Sequence, residues 1–217
     1  TQLAGKGMKR FVFISTIGVN GNVTDNDPFT ELSPVEPHTD YAISKYKAEL
    51  ELIKLSKLFG FQLVIIRPPL VYGEGAPGNF RTFYNIILKG IPLPFGLVRN
   101  SRSYISVSNL CDFIKLASSH PKAANELFLV SDDESLSTRD LIIIIWQAKK
   151  IRSFLLPIPI FLFKIIFMLL GRTSIFPQLF GDLEVDNSKA KRLLGWKPKE
   201  TMINAFKLHE PSVSEFK

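Results

Sequence analysis

FVFIST, residues 11–16, is a continuous run of β-branched and aromatic side chains that ends in two hydroxyls. A run that is apolar at successive positions is typical of a strand buried on both faces, as in a parallel sheet. Ser15 and Thr16 would then lie at the carboxyl end of this strand, where open α/β sheets bind their ligands. The alternative is that the two hydroxyls only satisfy backbone groups at the strand end.

A helix and a second strand follow this run and complete a βαβ unit. The helix is predicted to begin at Thr39 or Asp40, either of which can cap it, and to end at Gly60. The second run of buried-strand type is Gln62–Arg67, and two prolines end it. A strand, a long helix and a second strand predict parallel strands joined by a right-handed crossover.

Strands and helices continue to alternate along the rest of the chain, and the sequence therefore predicts an α/β fold. Further strands are expected at 104–107 and 127–131. Further helices are expected at 79–89, 186–194 and 201–208. Another helix is expected to begin with a cap at Ser108 or Asn109 and to end at Ser119. A capping-box pattern at Ser137 predicts a helix that runs through 141–149. Residues 73–78 are predicted to form a loop, because their glycines do not match a phosphate-binding pattern.

Composition bounds the protein class. The 217 residues, 46% of them hydrophobic, suffice for one large domain or two small ones. A single cysteine, Cys111, excludes an internal disulfide framework and a zinc site built on paired cysteines, and three scattered histidines form no ligand cluster, so no metal site is predicted. Cys111 is expected to be a small core residue. The net charge of +7 is spread along the chain, which favours a solvated surface over a nucleic-acid site.

Residues 154–170 are the most hydrophobic part of the chain. The segment is shorter than the ~20 residues that a membrane span needs, and it carries two prolines and Lys164. We therefore expect a helix that is buried or interfacial. Peripheral contact of 154–170 with a membrane is an open alternative.

Tyr41 and Lys45 stand four residues apart at the start of the first predicted helix. This spacing puts both side chains on one face of the helix, about one turn apart. A neighbouring ammonium stabilises a phenolate, which acid–base chemistry by a tyrosine requires. Taken alone, such a pair is more often a packed ring beside a solvated charge.

Five motifs in chain order resemble the extended short-chain dehydrogenase/reductase family, in its NAD-dependent epimerase/dehydratase branch. They cover nearly the whole chain and consist of the strand that ends in Thr16, the Tyr-x-x-x-Lys motif of Tyr41 and Lys45, Arg67-Pro68-Pro69-Leu70-Val71-Tyr72-Gly73, Arg102-Ser103-Tyr104-Ile105-Ser106-Val107 and Leu194-Gly195-Trp196-Lys197-Pro198. The resemblance implies an α/β fold made of the C-terminal part of a Rossmann-type parallel sheet and a smaller, mostly helical substrate-binding region.

The resemblance also implies the catalytic roles. Tyr41 would exchange a proton with a sugar hydroxyl at C4. Lys45 would stabilise the phenolate form of Tyr41 and hydrogen-bond the nicotinamide ribose. Thr16 would orient the same sugar hydroxyl, with Ser15 as the second choice for this role.

The binding roles follow from the same resemblance. The cofactor would be NAD, with NADP as the alternative, and its contacts would come from Ser15, Tyr41, Lys45, Pro68, Pro69 and Val71. Arg102 would hold the diphosphate of a nucleotide-sugar substrate, because a guanidinium forks onto phosphate oxygens. Asn79 would either contact the substrate or cap its own helix.

Departures from the family pattern shape the domain prediction. The family's glycine-rich turn and its ribose-selecting acidic residue are absent, so the chain is expected to begin partway through the nucleotide-binding domain. Residues 1–76 and 108–131 would be the remaining part of that domain, and 77–107 and 132–217 the substrate-binding region. Asn20 stands where many epimerases have Tyr, and Ser103 and Ser106 replace the Asp and His of the arginine motif.

The resemblance implies an enzyme that acts on a UDP-sugar, by C4 epimerisation, in cell-surface polysaccharide biosynthesis. A UDP-4-keto-hexosamine reductase of the quinovosamine type is the first alternative, because it would use the same groups. The others are a truncated, non-catalytic remnant and a membrane-associated scaffold that uses 154–170. The protein is expected in the cytoplasm or at the inner face of the membrane, and a homodimer is left open.

Overall fold

The computed structural model describes residues 7–73, 79–171, 173 and 175–207. Its strands are β1 (Arg10–Ile14), β2 (Gln62–Arg67), β3 (Leu70–Tyr72), β4 (Arg102–Ser106), β5 (Leu127–Leu129) and β6 (Ser135–Leu136). Its helices are α1 (Asp40–Phe59), α2 (Asn79–Leu88), α3 (Val107–Ser119), α4 (Thr138–Ala148), α5 (Ile160–Leu169), α6 (Ile175–Phe180), α7 (Ser188–Leu194) and α8 (Met202–Lys207). The predicted loop at 73–78 lies, apart from Gly73, outside the described residues.

A parallel sheet in the order β1-β2-β5 forms the first layer. Ile14 lies opposite Ile66, and Arg67 lies opposite Leu129. The predicted strand–helix–strand unit is confirmed, because α1 connects two parallel neighbours. β2 is the central strand and is buried after its first residue, which is why its sequence is apolar at successive positions. The strand predicted at 127–131 is shorter, since pairing ends at Leu129.

A second group of strands has the order β3-β4-β6, with β3 and β4 parallel and β4 and β6 antiparallel. No sequence pattern predicted β3. Pro68 and Pro69 end β2, because a proline donates no hydrogen bond to a neighbouring strand. The chain then resumes as a short strand that pairs with β4 instead, placing Val71 opposite Ile105.

Side-chain caps define the starts of three helices. Thr39 Oγ1 accepts a hydrogen bond from Ala42 N at 3.2 Å, which selects Thr39 as the cap of α1. Ser137 Oγ accepts from Asp140 N at 3.0 Å and caps α4, as predicted. The cap predicted for α3, Ser108 or Asn109, was wrong. Ser106 is the cap, and its Oγ accepts from Asn109 N at 3.0 Å, because β4 continues into α3 without a loop.

Two apolar clusters hold these layers together. In the first, the Phe113 ring on α3 contacts the rings of Phe128 and Trp196 edge-on, at centroid distances of 5.4 and 5.1 Å. In the second, Phe80 and Phe206 stack at 6.2 Å. α7 and Trp196 therefore pack with the parallel sheet although they follow residue 132 in the chain. The two-region division given above stays a prediction.

Two side-chain environments differ from the sequence predictions. Cys111 is exposed and was wrongly expected in the core, because α3 turns Leu110, Phe113 and Ala117 inward and leaves Cys111 on its outer side. No residue of α5 is buried, so the buried alternative for 154–170 was wrong as well. Among the described residues, no helix has both the length and the apolar character needed to cross a membrane.

Candidate active site

Tyr41 and Lys45 lie on the first two turns of α1, next to the carboxyl end of β1. Lys45 Nζ donates a hydrogen bond to Ile14 O at 2.9 Å and lies 5.8 Å from the centroid of the Tyr41 ring. The Tyr41 side chain is 60% exposed. The lysine is therefore fixed to the sheet by its ammonium group, and the tyrosine beside it is open to a ligand.

Ser15 and Thr16 continue from β1 into this site. Ser15 N donates to Ile66 O at 2.7 Å, and its buried Oγ has no hydrogen-bond partner within the described part of the chain. Thr16 Oγ1 accepts from Gly18 N at 3.2 Å and caps a 3₁₀ turn, Ile17–Val19. Thr16 thus satisfies a backbone group, as the alternative interpretation expected. A hydroxyl that accepts one bond still has its own proton to donate.

Pro68, Pro69 and Val71 follow the end of β2 and lie at the same edge of the parallel sheet. Pro68 O accepts a hydrogen bond from Ile17 N at 2.9 Å, so the diproline segment lies directly beside the turn after Thr16. Both prolines are buried, and Val71 is half-buried in β3. The structure therefore brings the predicted residues of the first three motifs together at the carboxyl edge of the parallel sheet.

A buried ion pair behind this edge escaped the sequence analysis. Arg67 Nε donates to Glu49 Oε1 at 2.9 Å, and a second guanidinium nitrogen contacts Glu49 Oε2. Arg67 also donates to Asn20 Oδ1 at 2.9 Å. The side chains of Arg67 and Glu49 are 5% and 2% exposed. Glu49 follows Lys45 by four residues, so the pair ties the α1 face that carries Lys45 to the end of β2.

Asn20 has a structural role in the position where many epimerases have Tyr. Besides accepting from Arg67, its Nδ2 donates to Ser33 O at 3.2 Å and to Pro34 O at 3.3 Å. Asn20 is buried. It therefore connects the Arg67–Glu49 pair to the loop that precedes α1.

Arg102, the predicted diphosphate ligand, lies in the interior at the other group of strands. Its Nη1 donates to Gly181 O at 2.7 Å and to Pro177 O at 3.2 Å. Desolvation by burial lowers the pKa of the Arg102 guanidinium from its usual value. A diphosphate would have to share the guanidinium with these carbonyls, so the substrate role of Arg102 stays a prediction. Asn79 is the first residue of α2, and its side chain lies outside the described residues.

A second polar centre, also missed by the sequence analysis, surrounds Asp132. Tyr72 Oη donates to Asp132 Oδ2 at 2.7 Å, Ser106 N donates to the same oxygen at 3.2 Å, and Asn109 Nδ2 donates to Oδ1 at 2.7 Å. Burial raises the pKa of Asp132, and these hydrogen bonds oppose that rise. Burial and the Asp132 carboxylate together raise the pKa of the Tyr72 hydroxyl. The centre joins β3, β4 and α3.

We expect Tyr72→Phe to lower the free energy of unfolding by about 1.5–3 kcal/mol at neutral pH, because it removes a donor from a buried carboxylate. The loss shrinks as the pH falls through the raised pKa of Asp132, since a protonated carboxyl needs the donor less. Urea denaturation of both proteins at several pH values measures the difference. Tyr46→Phe, on α1 and away from Asp132, is the control. A loss independent of pH contradicts the assignment.

Comparison with known proteins places this arrangement in a family. The fold and site define an α/β protein with a tyrosine–lysine pair at the carboxyl edge of a parallel sheet. A model of the NAD dependent epimerase/dehydratase family matches residues 2–130. The chain therefore belongs to this family, as the motif resemblance predicted, and the predicted α/β class with a Rossmann-type sheet is confirmed.

Named relatives are similar over most of this chain. It is 43% identical over 208 residues to a UDP-glucose 4-epimerase of Vibrio cholerae, and this alignment covers 95% of this chain and 63% of that protein. It is 30% identical over 158 residues to the N-acetyl-alpha-D-glucosaminyl-diphospho-ditrans,octacis-undecaprenol 4-epimerase of Escherichia coli O157:H7. That alignment covers 71% of this chain and 47% of the relative. The chain thus spans less than two thirds of the length of each of these relatives.

A solved structure shows the same fold at lower identity. The UDP-glucose 4-epimerase of Thermus thermophilus, solved as a complex with NAD, superposes with a TM-score of 0.72 over 94% of this chain and 64% of that chain, at 22% identity. The likeness concerns the arrangement of strands and helices. It supports the topology described above for the parallel sheet.

Proposed function

We propose that this chain carries the acid–base half of an NAD-dependent enzyme that epimerises a UDP-sugar at C4 for cell-surface polysaccharide. The observation that carries the proposal is the position of Lys45, whose Nζ donates a hydrogen bond to the end of β1 and lies beside the Tyr41 ring. The 43% identity to the UDP-glucose 4-epimerase of Vibrio cholerae supports the reaction type. The undecaprenol-linked epimerase of Escherichia coli supports the link to polysaccharide.

The residues at the carboxyl edge fit a nicotinamide cofactor with its sugar substrate. A buried Ser15 Oγ without a partner in the described chain, an ammonium held at the strand end and an exposed phenol converge there. When bound, NAD supplies a hydride acceptor and donor. Tyr41 would take the proton from the C4 hydroxyl, and Thr16 would orient that hydroxyl by a hydrogen bond. Lys45 would stabilise the phenolate and contact the cofactor ribose.

A 4-keto-hexosamine reductase remains the second candidate, because proton transfer by Tyr41 serves both reactions. The two differ in cofactor balance: epimerisation regenerates NAD within each turnover, whereas a reductase consumes one NADH per product. We expect the full-length protein with UDP-glucose or UDP-N-acetylglucosamine and NAD to form the C4 epimer, measured by proton NMR, without net change in absorbance at the NADH band. Stoichiometric NADH consumption with a 4-keto sugar would favour the reductase, and no NAD(H) binding by calorimetry would reject catalysis.

A further inference from the structure

α5 presents an apolar surface that the rest of the described protein does not cover. The helix is attached by one face: Phe163 stacks on Phe95 at 6.0 Å and contacts Phe180 at 4.8 Å, and Phe167 contacts Phe176 at 6.4 Å. Its other faces point outward. The exposed apolar side chains on and after α5 are those of Phe161, Leu162, Ile165, Ile166, Met168, Leu169 and Leu170.

The segment before α5 extends this surface and is attached by backbone hydrogen bonds. Leu156 N donates to Leu93 O at 2.8 Å, and Gly96 N donates to Leu156 O at 2.9 Å. Phe154 and Leu156 remain exposed beside these backbone bonds. We call Phe154–Leu156 and Ile160–Leu170 together the apolar platform. Contiguous exposed apolar surface of this kind marks a site of interaction with a protein or a membrane.

All charged residues in the stretch 141–181, which contains the apolar platform, are basic. No Asp or Glu occurs from Leu141 to Gly181, while the same stretch carries Lys149, Lys150, Arg152, Lys164 and Arg172, the last of which lies outside the described residues. Lys150, Arg152 and Lys164 are exposed. The nearest acidic residues in the sequence are Asp140 and Asp182, at the two ends of this stretch, although the whole chain contains 20 acidic residues.

A cleft of about 630 Å³ lies where the basic and apolar groups meet. Lys150 and Arg152 line it together with Trp146, Phe154 and Leu155. Arg139 also lines it, but its guanidinium lies 3.7 Å from the Asp140 carboxylate. Cationic groups next to aromatic and aliphatic side chains suit a phosphate headgroup whose hydrocarbon tail continues over the apolar platform.

We propose that the apolar platform, with Lys150, Arg152 and Lys164, docks on an anionic lipid bilayer. α5 has ten residues and would be about 15 Å long, half of the ~30 Å hydrocarbon core, so it lies in the interface and does not cross it. A second copy of the chain is a poorer occupant. A two-fold interface sets the same patch against itself, which would bring these cations together with no acidic residue from 141–181 to offset them. This proposal is independent of the reaction at Tyr41.

Vesicle flotation with the full chain tests the docking. At 0.1 M NaCl we expect binding to phosphatidylcholine vesicles that contain 30% phosphatidylglycerol, and at least tenfold weaker binding to phosphatidylcholine alone. The preference should fall away at 1 M NaCl, where the Debye length is about 3 Å. The double variant K150Q/R152Q should bind the anionic vesicles about fivefold more weakly for each cation removed. K115Q, an exposed lysine on α3, is its matched control and should bind as the wild type does.

Apolar contact is tested by the double variant F161E/L169E, which changes side chains that are 62% and 78% exposed and so should leave the fold intact. We expect at least a tenfold loss of vesicle binding with an unchanged circular dichroism spectrum. L32E, at a leucine that is 95% exposed elsewhere, is the control. Wild-type protein that stays in solution with anionic vesicles overturns the proposal. So does a wild-type dimer that F161E/L169E converts to a monomer, since the platform would then join two copies.

Discussion

Tyr41→Phe is expected to lower kcat by about 10²–10⁴-fold, the usual contribution of a positioned acid–base group. The substitution keeps the ring that lies beside Lys45 and removes only the hydroxyl that would exchange the proton. The hydrogen bond that fixes Lys45 Nζ goes to Ile14 O and not to the Tyr41 hydroxyl, so NAD(H) binding should be nearly unchanged. Steady-state kinetics with the UDP-sugar and calorimetry with NAD(H) separate the two effects.

Tyr46→Phe is the matched control for this prediction. Tyr46 lies on the same helix, immediately after Lys45, and is half-buried. Loss of its hydroxyl should change kcat by less than about threefold, well below the effect of a catalytic proton donor. Retention of more than a tenth of the wild-type kcat by Tyr41→Phe would remove Tyr41 from its proposed role.

Glu49→Gln is expected to lower the free energy of unfolding by about 3–5 kcal/mol, because it leaves the Arg67 guanidinium buried without its anion. That is a large share of the roughly 5–15 kcal/mol that holds a domain folded. Urea denaturation followed by circular dichroism measures the loss. The same variant should also weaken catalysis, since the Arg67–Glu49 pair ties the Lys45 face of α1 to the end of β2.

Glu51→Gln is the control for the buried pair, because Glu51 is 65% exposed and pairs with Lys54 in solvent. Exposed pairs contribute about 1 kcal/mol or less, so this variant should be nearly as stable as the wild type. The double variant Glu49→Leu/Arg67→Met should recover much of the stability that Glu49→Gln loses, because it removes both buried charges. A Glu49→Gln protein within about 1 kcal/mol of the wild type would contradict the assignment of the pair.

The regular elements near the site were predictable because their local signals are strong. β1 and β2 are short apolar runs, and α1 has a threonine cap at one end and a glycine at the other, with Gly60 at φ 72° where other residues are strained. β3 was not predictable in the same way. Two prolines precede it and it has only three residues, so its pairing with β4 depends on tertiary contact and not on a local pattern.

The candidate site was predicted in part. Tyr41, Lys45, Ser15, Thr16 and Pro68 do meet at one sheet edge. Strand ends and helical spacing indicated the first four, and the family resemblance indicated Pro68. The polar groups behind this edge were missed, because a glutamate such as Glu49 on a partly apolar helix face is normally solvated. Only the partner strand shows that Arg67 comes within hydrogen-bond distance of it. Glu49 and Arg67 are 18 residues apart, so no local sequence pattern indicates their pairing.

We propose Tyr41 as the acid–base group at the carboxyl end of β1 in an NAD-dependent sugar-nucleotide enzyme. A crystal structure of the full chain with NAD(H) and a UDP-sugar tests it most directly, through the distance from Tyr41 Oη to the C4 hydroxyl of the sugar. We expect a distance of about 2.6–3.2 Å, with Lys45 Nζ in reach of the nicotinamide ribose. A sugar bound with its C4 hydroxyl beyond hydrogen-bond reach of Tyr41, directly or through one water, would contradict it.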